Sequence, residues 1–274
     1  MADAERTDGT REDYSPGYGV ELVASYGTRS IGIQAAFFVR HLRPDMRILD
    51  CGCGPGSITR GLAKFACQGH VTGVDVSPEQ LQLAHEAASK RGLVNIGFEA
   101  ASIYELPFAD DAFDAVLAHA VFQHLGDPEA ALKEMHRVVK PGGVVGLRDD
   151  DVGSLILAPD LPGMDRVLAV IHGIVCLSGG NPMVGRHFRK LLRRTGFRDI
   201  VVSTTTECDE TAEATRERGD LAAALLEHMR AKAIENGLSS AEEMPRLIEA
   251  VRAWGRHPDA FDAIIWCEAV ARKA

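Results

Sequence analysis

Two carboxylates and three glycines carry the clearest chemistry in this sequence. Asp50 stands directly before the loop Cys51-Gly52-Cys53-Gly54-Pro55-Gly56, and Asp75 follows about twenty residues after it at the end of the next apolar run. Glycines at alternate positions let the backbone bend sharply and approach a ligand closely, at the positive N-terminal end of the helix that follows. A carboxylate at a strand end, as at Asp75, can accept hydrogen bonds from both hydroxyls of a ribose. The spacing departs from G-x-G-x-x-G, because the third glycine falls one residue early at Gly56 and Ser57 takes its place. Asp50 would also repel a pyrophosphate while attracting an ammonium group. The expected ligand therefore joins a ribose to a cation.

S-adenosylmethionine meets both conditions and adds a sulfonium. Methyl transfer from a sulfonium is a direct displacement in which positive charge disperses as the nucleophile attacks, so it requires no covalent intermediate and no metal. Holding donor and acceptor in line contributes roughly 7–11 kcal/mol in the best intramolecular cases, and excluding water avoids solvent reorganisation. A base is needed only for a hydroxyl or protonated amine acceptor, and it should titrate near the working pH. His119, Asp149 and Asp150 are the expected catalytic residues: His119 leaves an apolar run facing the expected cleft, and repulsion within Asp149-Asp150-Asp151 can raise one pKa. His124, in Val121-Phe122-Gln123-His124-Leu125, is expected to pack rather than react. No metal site is expected, since the six cysteines form no CxxC pair and the aspartate run suits a solvated loop.

These residues must be positioned by alternating helices and strands. A helix over 31–42, ending before Pro44, leads into a buried strand over 46–51. Helix 58–66, strand 71–76 and helix 78–91 follow, the last capped by Ser77 with Pro78 in its first turn. Strands are expected at 96–100, 112–118 and 144–147, with a helix over 128–139. Such alternation implies a largely parallel sheet covered on both faces, with ligands bound beyond the carboxyl ends of its strands. Past Arg148 the rhythm changes: helices near 161–177 and 184–195, a strand near 199–205, helical stretches over 210–235 and 241–254, and a last strand over 261–270.

Composition excludes several other classes. The chain has 274 residues, 46% hydrophobic and 25% charged, which suits one elaborated α/β domain with an ample core. A net charge of −9 with scattered Lys and Arg argues against nucleic acid as a partner. Neither a signal peptide nor a bilayer-long apolar stretch is visible, so the expected location is the cytoplasm, with no membrane partner. A homodimer is left open.

Four ordered segments then carry a resemblance. Leu49-Asp50-Cys51-Gly52-Cys53-Gly54-Pro55-Gly56, Gly73-Val74-Asp75-Val76-Ser77, Leu106-Pro107-Phe108 with Phe113-Asp114-Ala115-Val116, and Arg137-Val138-Val139-Lys140-Pro141-Gly142-Gly143 resemble the signature of class I S-adenosylmethionine-dependent methyltransferases. Within them the pattern is most similar to the ubiquinone/menaquinone-biosynthesis-like small-molecule enzymes of the methyltransferase domain family 11 type. The resemblance implies a Rossmann-like, doubly wound α/β fold with seven strands in order 3-2-1-4-5-7-6, the last antiparallel, and helical insertions over the active site. It gives Asp50 and Gly52 to the methionine end of the cofactor, Cys53, Gly54 and Gly56 to the loop around it, and Asp75 to the ribose. Val76 and Gln80 flank the adenine, and Ser102 and Ile103 align with an Asp-Ala pair that reads the adenine edge. Ser102 departs from that pair, its hydroxyl being shorter and uncharged. His119 matches a position near the methionine portion, and Tyr18, with Tyr14, is placed to close over the cofactor.

On this reading residues 1–30 are an N-terminal segment, partly mobile, that caps the cofactor. Residues 31–274 form the methyltransferase domain, with a cofactor core at 46–150, a helical lid or substrate insertion at 151–197 and C-terminal strands and helices at 198–274. The expected reaction moves a methyl group from S-adenosylmethionine to O, N or C of a small metabolite and leaves S-adenosylhomocysteine. The alternative is a methyltransferase-like protein that binds the cofactor without transfer, as a sensor, scaffold or catalyst of another reaction. A nicotinamide-dependent oxidoreductase is disfavoured by the glycine spacing.

Overall fold

Alternating apolar runs and capped helices assemble as their patterns require in a computed structural model that describes residues 26–27, 29–177, 179–209 and 211–274. Strands β1 (Arg47–Cys51), β2 (His70–Asp75), β3 (Ile96–Ala100), β4 (Phe113–His119) and β5 (Val139–Asp150) pair in parallel in the order 3-2-1-4-5. Helices α1 (Ser57–Phe65), α2 (Pro78–Ser89) and α3 (Pro128–Val138) make the crossovers. The starts of α2 and α3 are set locally: Ser77 and Asp127 accept hydrogen bonds from the Gln80 and Ala130 amides, and a proline occupies the first turn of each. Adjacent residues of one strand serve opposite faces. Leu49 joins the core under α3, whereas Ile48 joins the core under α1.

The antiparallel strand β8 (Phe261–Arg272) completes the sheet. It pairs with β5 from Asp150↔Trp266 to Val144↔Arg272, and the same edge is continued by the short β6 (Ile156–Ala158). Its other edge takes β7 (Arg198–Cys208), also antiparallel. The path 3-2-1-4-5-8-7 is the expected seven-strand topology with its last strand antiparallel, and β6 is an addition. Local differences from expectation have local causes. Two single-turn helices, Ile31–Gln34 and Ala36–Val39, replace the single helix over 31–42, and both Phe37 and Phe38 enter the core beside the break. β5 begins at Val139, ahead of the expected 144–147, because it runs through Pro141-Gly142-Gly143 with a register shift against β4.

A third apolar cluster lies beyond the sheet. α4 (Met164–Leu177), α6 (Ala212–His228), α7 (Arg230–Glu235) and α8 (Met244–Gly255) pack together through Val167, Ile174, Leu226 and Trp254. α6 and α8 meet at two glycines, where a Cβ on either Gly219 or Gly255 would lie 2.9 Å from the other's Cα. The block 151–197 is therefore divided in space. α4 joins this outer layer, while α5 (Phe188–Arg194) turns Phe188, Leu191 and Leu192 into the sheet core against α3. Among the described residues, no helix is long and apolar enough to cross a membrane.

Candidate active site

The carboxyl ends of the parallel strands and the outer helical layer enclose a cavity of about 410 Å3. Its floor is the bend after β1. Gly52, Gly54 and Gly56 all adopt left-handed φ, at 70°, 51° and 71°. The amides of Gly52 and Cys53 donate to Val74 O at 2.8 and 2.9 Å, tying the bend to β2. A Cβ at Gly52 would meet Val121 Cγ2 at 2.4 Å, and one at Gly56 would meet Ala84 and Phe98 at 2.9 Å. At Gly54 nothing lies within 4 Å. Gly52 and Gly54 line the cavity, while Gly56 serves packing behind it.

Both loop carboxylates face this floor. Asp50 is buried and accepts from Thr59 Oγ1 at 2.7 Å. Burial pushes its carboxyl up to about 7, the Thr59 hydrogen bond opposing and the Asp75 charge adding to the rise. Asp75 accepts from the amides of Gly54 at 2.8 Å and Ser77 at 3.0 Å. Burial raises its pKa too, against those amides. Each carboxylate oxygen keeps a lone pair for a ligand. Cys53 also lines the cavity, and burial holds its thiol protonated by pushing the pKa well up.

The neighbouring wall holds Val76, Gln80, Ala101 and Ile103. Gln80 Oε1 is buried and has no hydrogen-bond partner among the described residues. Ser102 does not line the cavity: its hydroxyl accepts from the Tyr104 amide at 3.1 Å, within its own turn. On this wall Gln80 thus carries an unpartnered buried acceptor, while Ser102 stands off the cavity. Tyr14 and Tyr18 lie outside the described residues. Tyr26 and Arg29 line the cavity instead, with the guanidinium 4.3 Å from the ring centroid.

The expected base residues go different ways. His119, at the end of β4, is buried, stacks on Trp266 with ring centroids 5.1 Å apart, and places Nε2 2.9 Å from Arg148 Nη1. A guanidinium only donates, so Nε2 accepts and the ring proton sits on Nδ1, which has no partner among the described residues. Burial first, and then the Arg29 and Arg148 charges, push the His119 pKa well below its usual value. His119 is a neutral ring whose Nδ1 proton is buried, and the expectation of a base there is corrected. His124 lines the cavity but burial lowers its pKa to about 3.

The three consecutive aspartates also diverge. Asp149 is turned away from the cavity and accepts from the Phe122 and Gln123 amides at 3.2 Å each, so its expected catalytic place is corrected to a cap on the Phe122–His124 turn. Asp150 faces the cavity and accepts from Gln123 Nε2 at 2.6 Å; burial raises its pKa. Asp151 pairs with Arg186, whose Nη2 lies 2.9 Å away. Among the described residues no group of three His, Cys, Asp or Glu side chains is arranged to hold a metal.

Several site residues had no sequence signal beyond apolar or charged character. Arg148 is fully buried, bonded to Glu268 at 3.3 Å and Glu207 at 2.8 Å, with its guanidinium 4.1 Å from the Trp266 ring centroid. Asp262, Ile264 and Trp266 line the cavity from alternate positions of β8. That alternation was available in the sequence, but the run is apolar enough to pass for a wholly buried strand. Toward the outer layer the lining turns apolar, with Leu157, Leu168, Leu221 and Leu225, interrupted by Arg218.

Residues 49–147 match the methyltransferase domain family. The chain is 30% identical over 285 residues to ltbC of Aspergillus luteorubrus, described as a probable methyltransferase, covering 97% of this chain and 99% of that one. It is 37% identical over 182 residues to an uncharacterized methyltransferase of Schizosaccharomyces pombe, covering 64% of this chain and 65% of its relative. Among solved structures it resembles the YcgJ protein of Bacillus subtilis, with a TM-score of 0.58 and 19% identity over 88% of this chain and 98% of that one, a likeness of fold alone.

Proposed function

Because this chain belongs to the class I S-adenosylmethionine-dependent methyltransferases, we propose that its cavity binds that cofactor at the glycine floor and methylates a small, largely apolar molecule held under the helical layer. The observation that carries the proposal is the continuity of one cavity from Asp50, Gly54 and Asp75 to the apolar faces of α4 and α6. When bound, the cofactor supplies an electrophilic methyl group on sulfur. Everything else falls to the chain.

The residues present suit such a ligand. Asp50 offers a charge to an ammonium, and Asp75 offers acceptors to two hydroxyls. The open face at Gly54 leaves room for close approach, as a Cβ there would meet nothing within 4 Å. Gln80 Oε1, His119 Nδ1 and Trp266 Nε1 supply one buried acceptor and two buried donors that nothing among the described residues satisfies. Trp266 and His119, stacked, make a flat wall that excludes water beside the reaction centre. For an oxygen or nitrogen acceptor, Asp150 is a cavity carboxylate outside the cofactor floor whose burial-raised pKa suits it to take a proton. The net charge of −9 supports a small molecule rather than a nucleic acid as acceptor, and a cytoplasmic site belongs to the same proposal.

The test has two stages. Calorimetry should show binding of S-adenosylmethionine and S-adenosylhomocysteine, weakened by about 1.5–3 kcal/mol in Asp75→Ala, the worth of hydrogen bonds to a charged group. Incubation with a panel of apolar alcohols, phenols and amines should then release S-adenosylhomocysteine. Absence of binding refutes the cofactor site. Tight binding with no turnover on any acceptor favours a cofactor-sensing role instead.

A further inference from the structure

We propose that Arg218 and Asp262 form a polar subsite at the outer end of the cavity that recognises a hydroxyl group on an elongated apolar acceptor, an inference that rests on the methyltransferase reading above. The strand β8 acts as the ruler. Asp262, Ile264 and Trp266 occupy alternate positions on its cavity face. Four residues of strand separate the first from the last, a distance of about 13 Å. Trp266 stacks on His119 beside the cofactor floor, so Asp262 lies at the opposite, outer end. Between them the lining is apolar, including Ile264, Leu157, Leu168 and Leu221.

A charged group in such a wall needs a reason. The Asp262 side chain is only 4% exposed, and its Oδ1 accepts from the Asp209 amide at 3.3 Å. Arg218 reaches in from α6, its Nε donating to Asp209 Oδ2 at 2.9 Å and lying 3.5 Å from Asp262 Oδ2. Its two terminal nitrogens, with four N–H donors, meet no acceptor among the described residues, and the side chain, 45% exposed, lines the cavity. Two carboxylates around one guanidinium leave the cluster net negative, which disfavours a carboxylate or phosphate on the ligand. A hydroxyl fits both signs, accepting from an Arg218 Nη and donating to an Asp262 oxygen. The cluster therefore selects an alcohol or phenol, set about 13 Å along the strand from the Trp266 end of the cavity.

The experiment uses the full chain saturated with S-adenosylhomocysteine and three probes of matched length: 1-decanol, its methyl ether and decanoate. The alcohol should bind at least about tenfold tighter than the ether or the acid, the scale of one or two hydrogen bonds lost. Arg218→Met should bring the alcohol down to the level of the ether. Asp262→Asn, close to isosteric and so a check should the first variant misfold, should narrow the gap between decanoate and decanol by removing one negative charge. Equal affinity of the native protein for alcohol and ether, or an alcohol preference that survives Arg218→Met, overturns the subsite. Failure to bind S-adenosylhomocysteine at all would instead overturn the cofactor site, so the two failures are separable.

Discussion

Arg148 Nη1 lies 2.9 Å from Nε2 of His119, its neighbour across the β4–β5 ladder, and this contact decides which proton the imidazole carries. The nitrogen facing a guanidinium must accept, so Nδ1 holds the hydrogen, buried and without a partner among the described residues. Burial and two nearby cations keep a second proton off.

A neutral donor makes a different kinetic prediction from a base. His119→Asn, whose amide N–H can stand near the Nδ1 position, should retain cofactor binding and leave the shape of the pH–rate profile unchanged. His119→Ala should lose about three- to tenfold in kcat/KM, one neutral hydrogen bond, again without moving the profile. An acidic limb of the profile, activity lost as pH falls, that disappears in both variants would restore His119 as the base.

The buried Arg148 also answers for Glu268, whose side chain is 3% exposed. Removing the guanidinium in Arg148→Met leaves that carboxylate without its cation, which should destabilise the fold by about 3–5 kcal/mol. The double variant Arg148→Met with Glu268→Gln should recover part of the loss, since no buried charge then remains unpaired. Urea denaturation of the native protein and the two variants measures this, and equal stability of native and single variant contradicts it.

Asp50 links cofactor affinity to pH. With its carboxyl pushed up to about 7 in the free protein, Asp50 holds a proton below that pH and must release it to face an ammonium. Affinity for S-adenosylhomocysteine should therefore fall about tenfold for each pH unit below 7 and level off above it, with proton release seen as a buffer-dependent enthalpy. Asp50→Asn should flatten the curve. A native affinity independent of pH between 5 and 7 is the contrary result.

The glycine bend separates strain from contact. Gly54→Ala adds a side chain at φ 51° into open space, so its cost is the left-handed backbone, about 1–2 kcal/mol, plus a Cβ intruding on the cofactor floor. Gly52→Ala adds the same strain and a clash with Val121 Cγ2 at 2.4 Å. It should lower the melting temperature further, and Val121→Ala should restore only the part due to the clash. Equal melting temperatures for the two glycine variants would contradict this.

The two loop carboxylates and the parallel core were legible because each signal is short-ranged. Alternation of strand and helix, the Ser77 and Asp127 caps and the bend after β1 all lie within a dozen residues of chain. The positions of Asp50 and Asp75 likewise follow from where β1 and β2 must end, whereas Gln80 was pointed to only by the resemblance. Ser102, which the resemblance set beside the adenine as a departure from the usual pair, has a hydroxyl that accepts from the Tyr104 amide in a turn that apolar spacing does not reveal.

By itself, then, the sequence determined a doubly wound sheet with a glycine bend after its first strand, since periodicity and a glycine loop write those locally, and its four ordered segments carried the resemblance to the family. Only the tertiary structure decided what the polar side chains do. Asp149, Asp150 and Asp151 are adjacent in the chain yet meet two amides, a glutamine and an arginine brought from two distant segments. The proton on His119 is set by Arg148, which is itself held by Glu268, 120 residues further along the chain. Such pairings arise when distant strands come to lie side by side, and nothing in local spacing encodes which buried charge will find which partner.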